Sequence, residues 1–398
     1  VALRRSRSTV LLAPRLLSAL LCPQHTKALT PVRRKETGEK TRPLEASTLN
    51  EQTRPLRVSV ALCTYNGERF IREQIQSILD QSRRVDEIVL GDDDSADGTV
   101  RIVEAMLEGS GIDLLIRHHR PGLGVRANFS DAIAATSGDV IVLCDQDDIW
   151  VPTKVERLLD ALEGVELVHS DAQLVDSKGE SLGVLLLDEL RASRWERENL
   201  QKGDALAVLL RRNLVTGATT AVNGEFARAA MPVPEGWIHD EWLALLAALD
   251  HSLRLLPEAL TLYRQHENNQ IGAKKESLLA RTARMLKPDP TDDRRRLLRA
   301  TSASSYALRA ARGSEEDRAR LREAAAHQRA RSLMPSGRIS RIPTILTEAF
   351  SGRYSRCSRG VLTLGRDILQ VKESEGKGRG ISQKNSENPC DLPEKSAD

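Results

Sequence analysis

Val140–Cys144 (VIVLC) is an unbroken apolar run, preceded by Ser137-Gly138-Asp139 and followed at once by Asp145-Gln146-Asp147-Asp148. A run this short, apolar at every residue and bounded by turn residues, predicts a strand buried on both faces. Such strands belong to parallel sheets covered by helices on either side. The neighbouring segments supply the frame. Arg57–Cys63 (RVSVALC), Asp86–Leu90 and Asp113–Arg117 read as strands. Glu68–Asp80 sets Phe70, Ile71, Ile75, Ile78 and Leu79 at helical spacing, and Thr99–Leu107, Asn128–Thr136 and Lys154–Leu162 read as further helices. Ser95 or Asp97 is placed to cap the second of these helices. Strand–helix alternation predicts an α/β fold, a mostly parallel Rossmann-like sheet with helices on both faces. Ligands in such sheets bind beyond the carboxyl ends of the strands. Three unusual loops, Thr64–Gly67, Gly91–Gly98 and Asp145–Trp150, all fall there and are expected to meet in one cleft.

From Leu167 the pattern is mixed. Leu167–His169, Thr216–Val222 and Leu253–Leu262 read as strands, Asp176–Gly179 as a turn, and Asp204–Arg211 and Asp240–Leu249 as helices. After Lys274 the chain reads as an Arg/Ala-rich helical extension spanning 276–372. Residues 1–55 are basic and Pro-punctuated, and 373–398 are poor in apolar residues; both are expected to be disordered, as leader and tail.

The 398 residues allow one large domain with appendages or two domains, and 40% hydrophobic residues suffice for a core. A net charge of only +3 argues against a general nucleic-acid binder. The five cysteines, at 22, 63, 144, 357 and 390, show no C-x-x-C spacing, which argues against a disulfide framework. Cys63 and Cys144 lie in apolar runs and read as buried, reduced thiols, which suits a cytoplasmic compartment. No run reaches the ~18 apolar residues of a membrane span. Thr9–Cys22 could be read as a signal peptide, but Pro14 and Arg15 interrupt it.

Asp145, Asp147 and Asp148 put three carboxylates within four residues. They repel one another unless a cation or solvent intervenes, and clustered oxygens of this kind suit Mg²⁺ or Mn²⁺. A solvated acidic turn is the plainer alternative. Asp92-Asp93-Asp94 after the second strand could accept hydrogen bonds from a base or ribose, or could cap a helix start. Thr64-Tyr65-Asn66-Gly67 lacks a G-x-G-x-x-G pattern, so phosphate is expected to be held by metal and side chains. Tyr65 could flank a nucleobase or simply pack. Arg353, Arg356 and Arg359 recur every three residues beside Phe350 and Tyr354; if helical, they would form a basic stripe able to touch anionic lipid, or merely a solvated face.

Val58–Asn66 (VSVALCTYN), Ile88–Thr99 (IVLGDDDSADGT) and Leu143–Trp150 (LCDQDDIW) resemble, in order and spacing, the three signatures of family 2 glycosyltransferases. The resemblance covers roughly residues 56–275 and implies a GT-A fold. It implies that Asp93, with Asp92 nearby, contacts the nucleobase, that Thr64, Tyr65 and Asn66 line the donor site, and that Asp145 and Asp147 hold a divalent metal and the diphosphate. Gly91 departs from the usual residue type there. The family's catalytic Glu-Asp pair is represented by His239-Asp240, which makes Asp240 the expected base and Glu241 the fallback. With Gly217 in VTGAT and with Tyr263-Arg264-Gln265-His266, this is similar to a subgroup containing rhamnosyl and O-antigen transferases; Gln265 and Asn269 extend the match. Arg264 is then expected at the diphosphate, and His266 as a diphosphate donor or metal ligand. The activity implied is an inverting transfer of one sugar from a nucleotide-diphosphate donor, dTDP-rhamnose before UDP-hexoses, to a glycan or lipid-linked hydroxyl in cell-surface polysaccharide synthesis. A nucleotidyltransferase would ordinarily show a basic, Gly-rich loop after the first strand, unlike Thr64–Gly67. A catalytically silent nucleotide-sugar-binding or assembly protein would keep the acidic loops without turnover.

Overall fold

A computed structural model of the chain describes residues 55–266 and 290–370. The readings made for most of the leader, for the tail, and for Asn269, Cys22 and Cys390 lie outside these residues. Nine strands among them join in one sheet: β1 (Val58–Thr64), β2 (Glu87–Asp92), β3 (Asp113–His118), β4 (Val140–Cys144), β5 (Ile149–Trp150), β6 (Leu167–Val175), β7 (Ser181–Leu185), β8 (Thr220–Asn223) and β9 (Leu253–Arg264). Their order is β3-β2-β1-β4-β8-β6-β9-β5, with β7 paired to β6. The first four run parallel, as the strand–helix alternation requires. Beyond β4 the sheet is mixed: β8 is antiparallel to β4 and β6, and β9 is parallel to β6.

Alternation along β1 and β4 divides the core. Val58, Val60 and Leu62, with Val140 and Val142, face the helices Ile71–Leu79, Thr99–Leu107 and Lys154–Leu162. Ala61 and Cys63, with Ile141 and Leu143, face the helices Val125–Ala135 and His239–Leu249. Every residue of β4 is buried, so a truncation such as Leu143→Ala would cost about 2–5 kcal/mol. The thiols of Cys63 and Cys144 are buried and unbonded to each other, as expected.

Several expectations are refined. Asp97 accepts the Thr99 N–H at 3.0 Å, but Gly98 occupies the cap position itself. The turn at Asp176–Gly179 opens a hairpin into β7, and β6 runs to Val175 rather than stopping at His169. The helix Arg194–Lys202 begins with a reciprocal capping box of Ser193 and Glu196, a pattern present in the sequence and passed over.

The C-terminal extension is helical in its described part: Pro290–Arg309, Glu315–Ser332, Ile342–Phe350, Arg353–Cys357 and Val361–Leu369. It joins the sheet domain through aromatic and polar contacts. Trp237 donates its indole N–H to Ser302 at 2.9 Å, and Tyr306 meets the Trp242 ring edge-on at 4.9 Å. The basic stripe of Arg353, Arg356 and Arg359 is not formed. The helix ends at Cys357, before Arg359; Tyr354 is buried; Arg353 pairs with Glu348 at 3.0 Å and Arg356 with Glu323 at 2.5 Å.

Candidate active site

The three loops do meet, because β2, β1 and β4 are neighbours and end at the same side. Backbone N–H groups of one loop are taken by side chains of the next. Asn66 N–H donates to Ser95 Oγ at 2.9 Å, and Ala96 N–H to Asn66 Oδ1 at 2.9 Å. Gln146 grips Tyr65 from both sides, accepting its N–H at 2.8 Å and donating to its carbonyl at 3.1 Å. A Cβ at Gly67 would sit 2.3 Å from Gln146 Oε1, so any larger residue would displace the Gln146 side chain from Tyr65. Thr64 is buried and donates its hydroxyl to Asp92 at 2.9 Å. Thr64, Asn66 and Asp92 therefore brace the cleft, whereas Tyr65 stands half-exposed at its rim. Asp93 is partly open; one carboxylate oxygen accepts the Leu123 N–H at 2.5 Å and the other the Gly124 N–H at 2.9 Å.

The Asp145–Asp148 loop is a crowd of like charges. Burial, then repulsion by Asp147 and by Asp240, pushes Asp145 up to about 7. Asp148 is also pushed up, by burial first, and its Oδ2 is a buried oxygen with no hydrogen-bond partner. Such an orphaned buried acceptor is rare in a finished core. Asp147 meets His266 at 2.7 Å, and the His266 ring stacks on Phe70 at 4.7 Å. Among the described residues no group of three or more His, Cys, Asp or Glu closes into a metal cage. Carboxylate oxygens on Asp145 and Asp147, with the His266 ring beside them, still fit a hard divalent ion that takes its remaining ligands from phosphate and water.

Arg264 departs from expectation. Its guanidinium is buried under the loop rather than open to the cleft. It donates to the Asp147 carbonyl at 2.8 Å, the Ser177 carbonyl at 3.1 Å and Glu73 at 2.5 Å, and it lies over Phe70. In this arrangement that fork is engaged by protein oxygens of the acidic loop, the Asp176–Gly179 turn and Glu73. Its backbone N–H also donates to Asp148 at 3.0 Å.

Asp240 opens the helix His239–Leu249. Its carboxylate accepts the Gly217 N–H at 3.0 Å and the Glu241 N–H at 2.6 Å. Burial outweighs these bonds and lifts it to about 6. That value lies closer to neutrality than an ordinary aspartate, the direction that makes a carboxylate a better proton acceptor. His239 is buried and stacked on Phe129, and burial drops it to about 3, so its ring is neutral. Gly217 faces that ring: a Cβ there would lie 2.7 Å from His239 Nε2. The small residue in VTGAT and the histidine in HDEW are thus one packing arrangement. Glu241 is turned to Arg299 of the extension at 2.9 Å, which leaves Asp240 as the carboxylate beside the acidic loop.

Sequence reasoning missed Lys154. Its ammonium is fully buried, donates to the Ala218 carbonyl at 2.6 Å and Thr261 Oγ1 at 3.0 Å, and lies over the Trp150 ring. Burial lowers it to about 8, while Cys144, Asp148 and Asp145 pull the other way. It ties the acidic loop's flank to the Gly217–Thr219 turn that holds Asp240. At the first position of an amphipathic helix it looks like an ordinary solvated lysine; only its place next to three aspartates hints otherwise.

Residues 59–206 match Glycosyl transferase family 2. The Uncharacterized protein Rv1520 of Mycobacterium tuberculosis is 25% identical over 214 residues, covering 52% of this chain and 59% of that protein. The chain thus spans less than two thirds of that relative's length. The dTDP-rhamnosyl transferase RfbG of Shigella flexneri is 28% identical over 222 residues, covering 53% of this chain and 74% of that protein. Among solved structures, S. aureus TarS 1-349 in complex with UDP-GlcNAc superposes with a TM-score of 0.50 at 15% identity, over 79% of this chain and 90% of that one. That likeness is one of fold, the GT-A arrangement of sheet, flanking helices and C-terminal helices. Through residues 59–206 the chain is similar to glycosyltransferase family 2.

Proposed function

We propose that the protein is an inverting glycosyltransferase that moves one sugar from a nucleotide-diphosphate donor to a hydroxyl of a glycan or lipid-linked acceptor. The observation that carries this reading is the convergence of two distant segments: Asp240, between β8 and β9, lies close enough to the Asp145 loop for its charge to add to burial in raising the proton affinity of Asp145. A base beside a diphosphate site is what a single displacement needs. Asp240 takes the proton of the acceptor hydroxyl as that oxygen attacks the anomeric carbon; the bond to the leaving nucleoside diphosphate breaks on the opposite face, inverting the configuration. Asp145 and Asp147, with His266, would hold Mg²⁺ or Mn²⁺, which supplies charge neutralisation for the diphosphate. Tyr65 and Asp93 are the side chains offered to the nucleobase, braced by Thr64, Asn66 and Asp92. Arg264 and Lys154 fix the acidic loop from below. dTDP-rhamnose is the first donor to try, in keeping with the name of the Shigella relative, and a role in cell-surface polysaccharide synthesis follows from the same likeness.

The test is donor hydrolysis by the purified full chain across a panel of nucleotide sugars, with Mn²⁺ or Mg²⁺ and then with EDTA. Release of nucleoside diphosphate from one donor, lost with EDTA and in Asp147→Ala, is the expected result. Binding of a donor without turnover, with or without acceptor glycans, would replace this reading with that of a silent binding protein.

A further inference from the structure

Seventeen large hydrophobic side chains stand exposed among the described residues, and nine of them fall between Leu333 and Gln370. The helix Ile342–Phe350 turns Ile345 inward, where Met334 and Tyr354 also lie, and turns Ile342, Leu346 and Phe350 outward at every fourth residue. Phe350 is 86% exposed. The adjoining helix Val361–Leu369 packs Leu364 on the same small core and leaves Val361 83% exposed, with Ile368 outward two turns on. Water gains nothing from such a face, and single scattered residues do not produce this periodicity.

The exposed charges of the segment itself have one sign. Between Leu333 and Gln370 the sequence holds six arginines, no lysine, and only two acids, Glu348 and Asp367. Both acids are buried and paired, Glu348 with His327 at 2.7 Å and Arg353 at 3.0 Å, and Asp367 with Arg331 at 2.6 Å. Of the arginines, Arg341 is buried, and Arg353 and Arg356 pair with Glu348 and with Glu323 of the preceding helix; Arg338, Arg356 and Arg359 are the exposed ones, so the segment's own exposed charge is positive. A symmetric dimer through the face would set two basic surfaces against each other. No helix among the described residues is long and apolar enough to cross a membrane, so an apolar contact here is peripheral.

We propose that the outward faces of the helices Ile342–Phe350 and Val361–Leu369 form a docking surface for an anionic lipid bilayer, with apolar side chains entering the interface and the exposed Arg338 and Arg359 meeting the headgroups. The occupant is the bilayer itself; the inference is independent of which donor sugar is used.

The experiment is flotation of the full chain with vesicles of phosphatidylglycerol mixed into phosphatidylcholine, beside vesicles of phosphatidylcholine alone, with no nucleotide sugar present. The protein is expected to float with the anionic vesicles, and several-fold less with the neutral ones or at high salt. The triple variant Ile342→Ser/Leu346→Ser/Phe350→Ser is expected to reduce the bound fraction by about tenfold or more, with its thermal melt unchanged because these side chains leave the core intact. Val361→Ser/Ile368→Ser tests the second helix separately, should the first variant misfold. Three outcomes overturn the proposal: no flotation of the wild type, undiminished flotation of the variants, or a dimer in light scattering that the same substitutions dissociate, which would give the face to a second copy of the chain.

Discussion

Two groups of buried carboxylates in this chain obey opposite rules. In the C-terminal helices, Asp367 accepts two bonds from Arg331, at 2.6 and 2.8 Å, and a third from the Tyr354 hydroxyl at 2.9 Å. Burial alone would raise it, but the Arg331 bonds outweigh burial and hold it below the usual carboxylate range. In the cleft, burial first and then carboxylate neighbours push Asp145 and Asp148 up, and the buried Lys154 only partly offsets them. A buried acid with its cation beside it is complete and serves the fold. A buried acid crowded by other acids marks a candidate functional site.

The contrast can be broken most sharply at Asp240. Asp240→Asn should lower turnover by about 10²–10⁴-fold while leaving donor affinity, read by calorimetry, within a few-fold; activity near wild type would remove Asp240 from the base role. Next in size is the satisfied pair. Arg331→Ala should cost about 3–5 kcal/mol in chemical denaturation, because it strands Asp367 in the interior. A loss under about 1 kcal/mol would mean the pair is no more than decoration.

Asp145→Asn should act in the reverse direction. Removing the central charge of the crowded loop should stabilise the metal-free protein by about 1–3 kcal/mol at neutral pH while destroying metal-dependent donor binding. The sign of the pH response follows. Asp145 and Asp240 hold protons in the folded state up to about 7 and about 6 that the unfolded chain has already released. Their contribution to stability is complete below the ordinary carboxylate pKa and is lost as pH rises through about 7. Asp367 does the opposite: its contribution is present above that ordinary value and is lost in acid. Denaturation between pH 4 and 8 should therefore show a downward slope that flattens in Asp145→Asn. Smallest of all is Arg356→Ala, which removes an exposed ion pair with Glu323 and should change stability by under about 1 kcal/mol.

Much of the cleft was legible because its signals are local. Val140–Cys144 and Lys154–Leu162 have in the structure the limits read from the sequence. A run of buried residues ending in three aspartates leaves little choice about where the strand stops. The three loops were expected together from the rule that parallel strands end on one side, and they are together. What failed to read through was the fate of long cationic side chains. Arg264 follows a strand and precedes a histidine, which suited a phosphate donor. Its direction was set by Glu73, nearly two hundred residues earlier, and by two backbone carbonyls. Lys154, read only as the start of a helix, is buried with its ammonium over the Trp150 ring. The arginines at 353 and 356, open in sequence to a basic stripe or a solvated face, pair with Glu323 and Glu348.

By itself, then, the sequence determined the strand–helix alternation, the sheet's ligand-binding edge and the carboxylates gathered there. Periodicity and turn chemistry are written in neighbouring residues. Only the tertiary structure decided which charges are paired and which are left facing their own kind. Pairing depends on partners brought from distant segments, and a long flexible side chain has no preferred direction until those partners are in place.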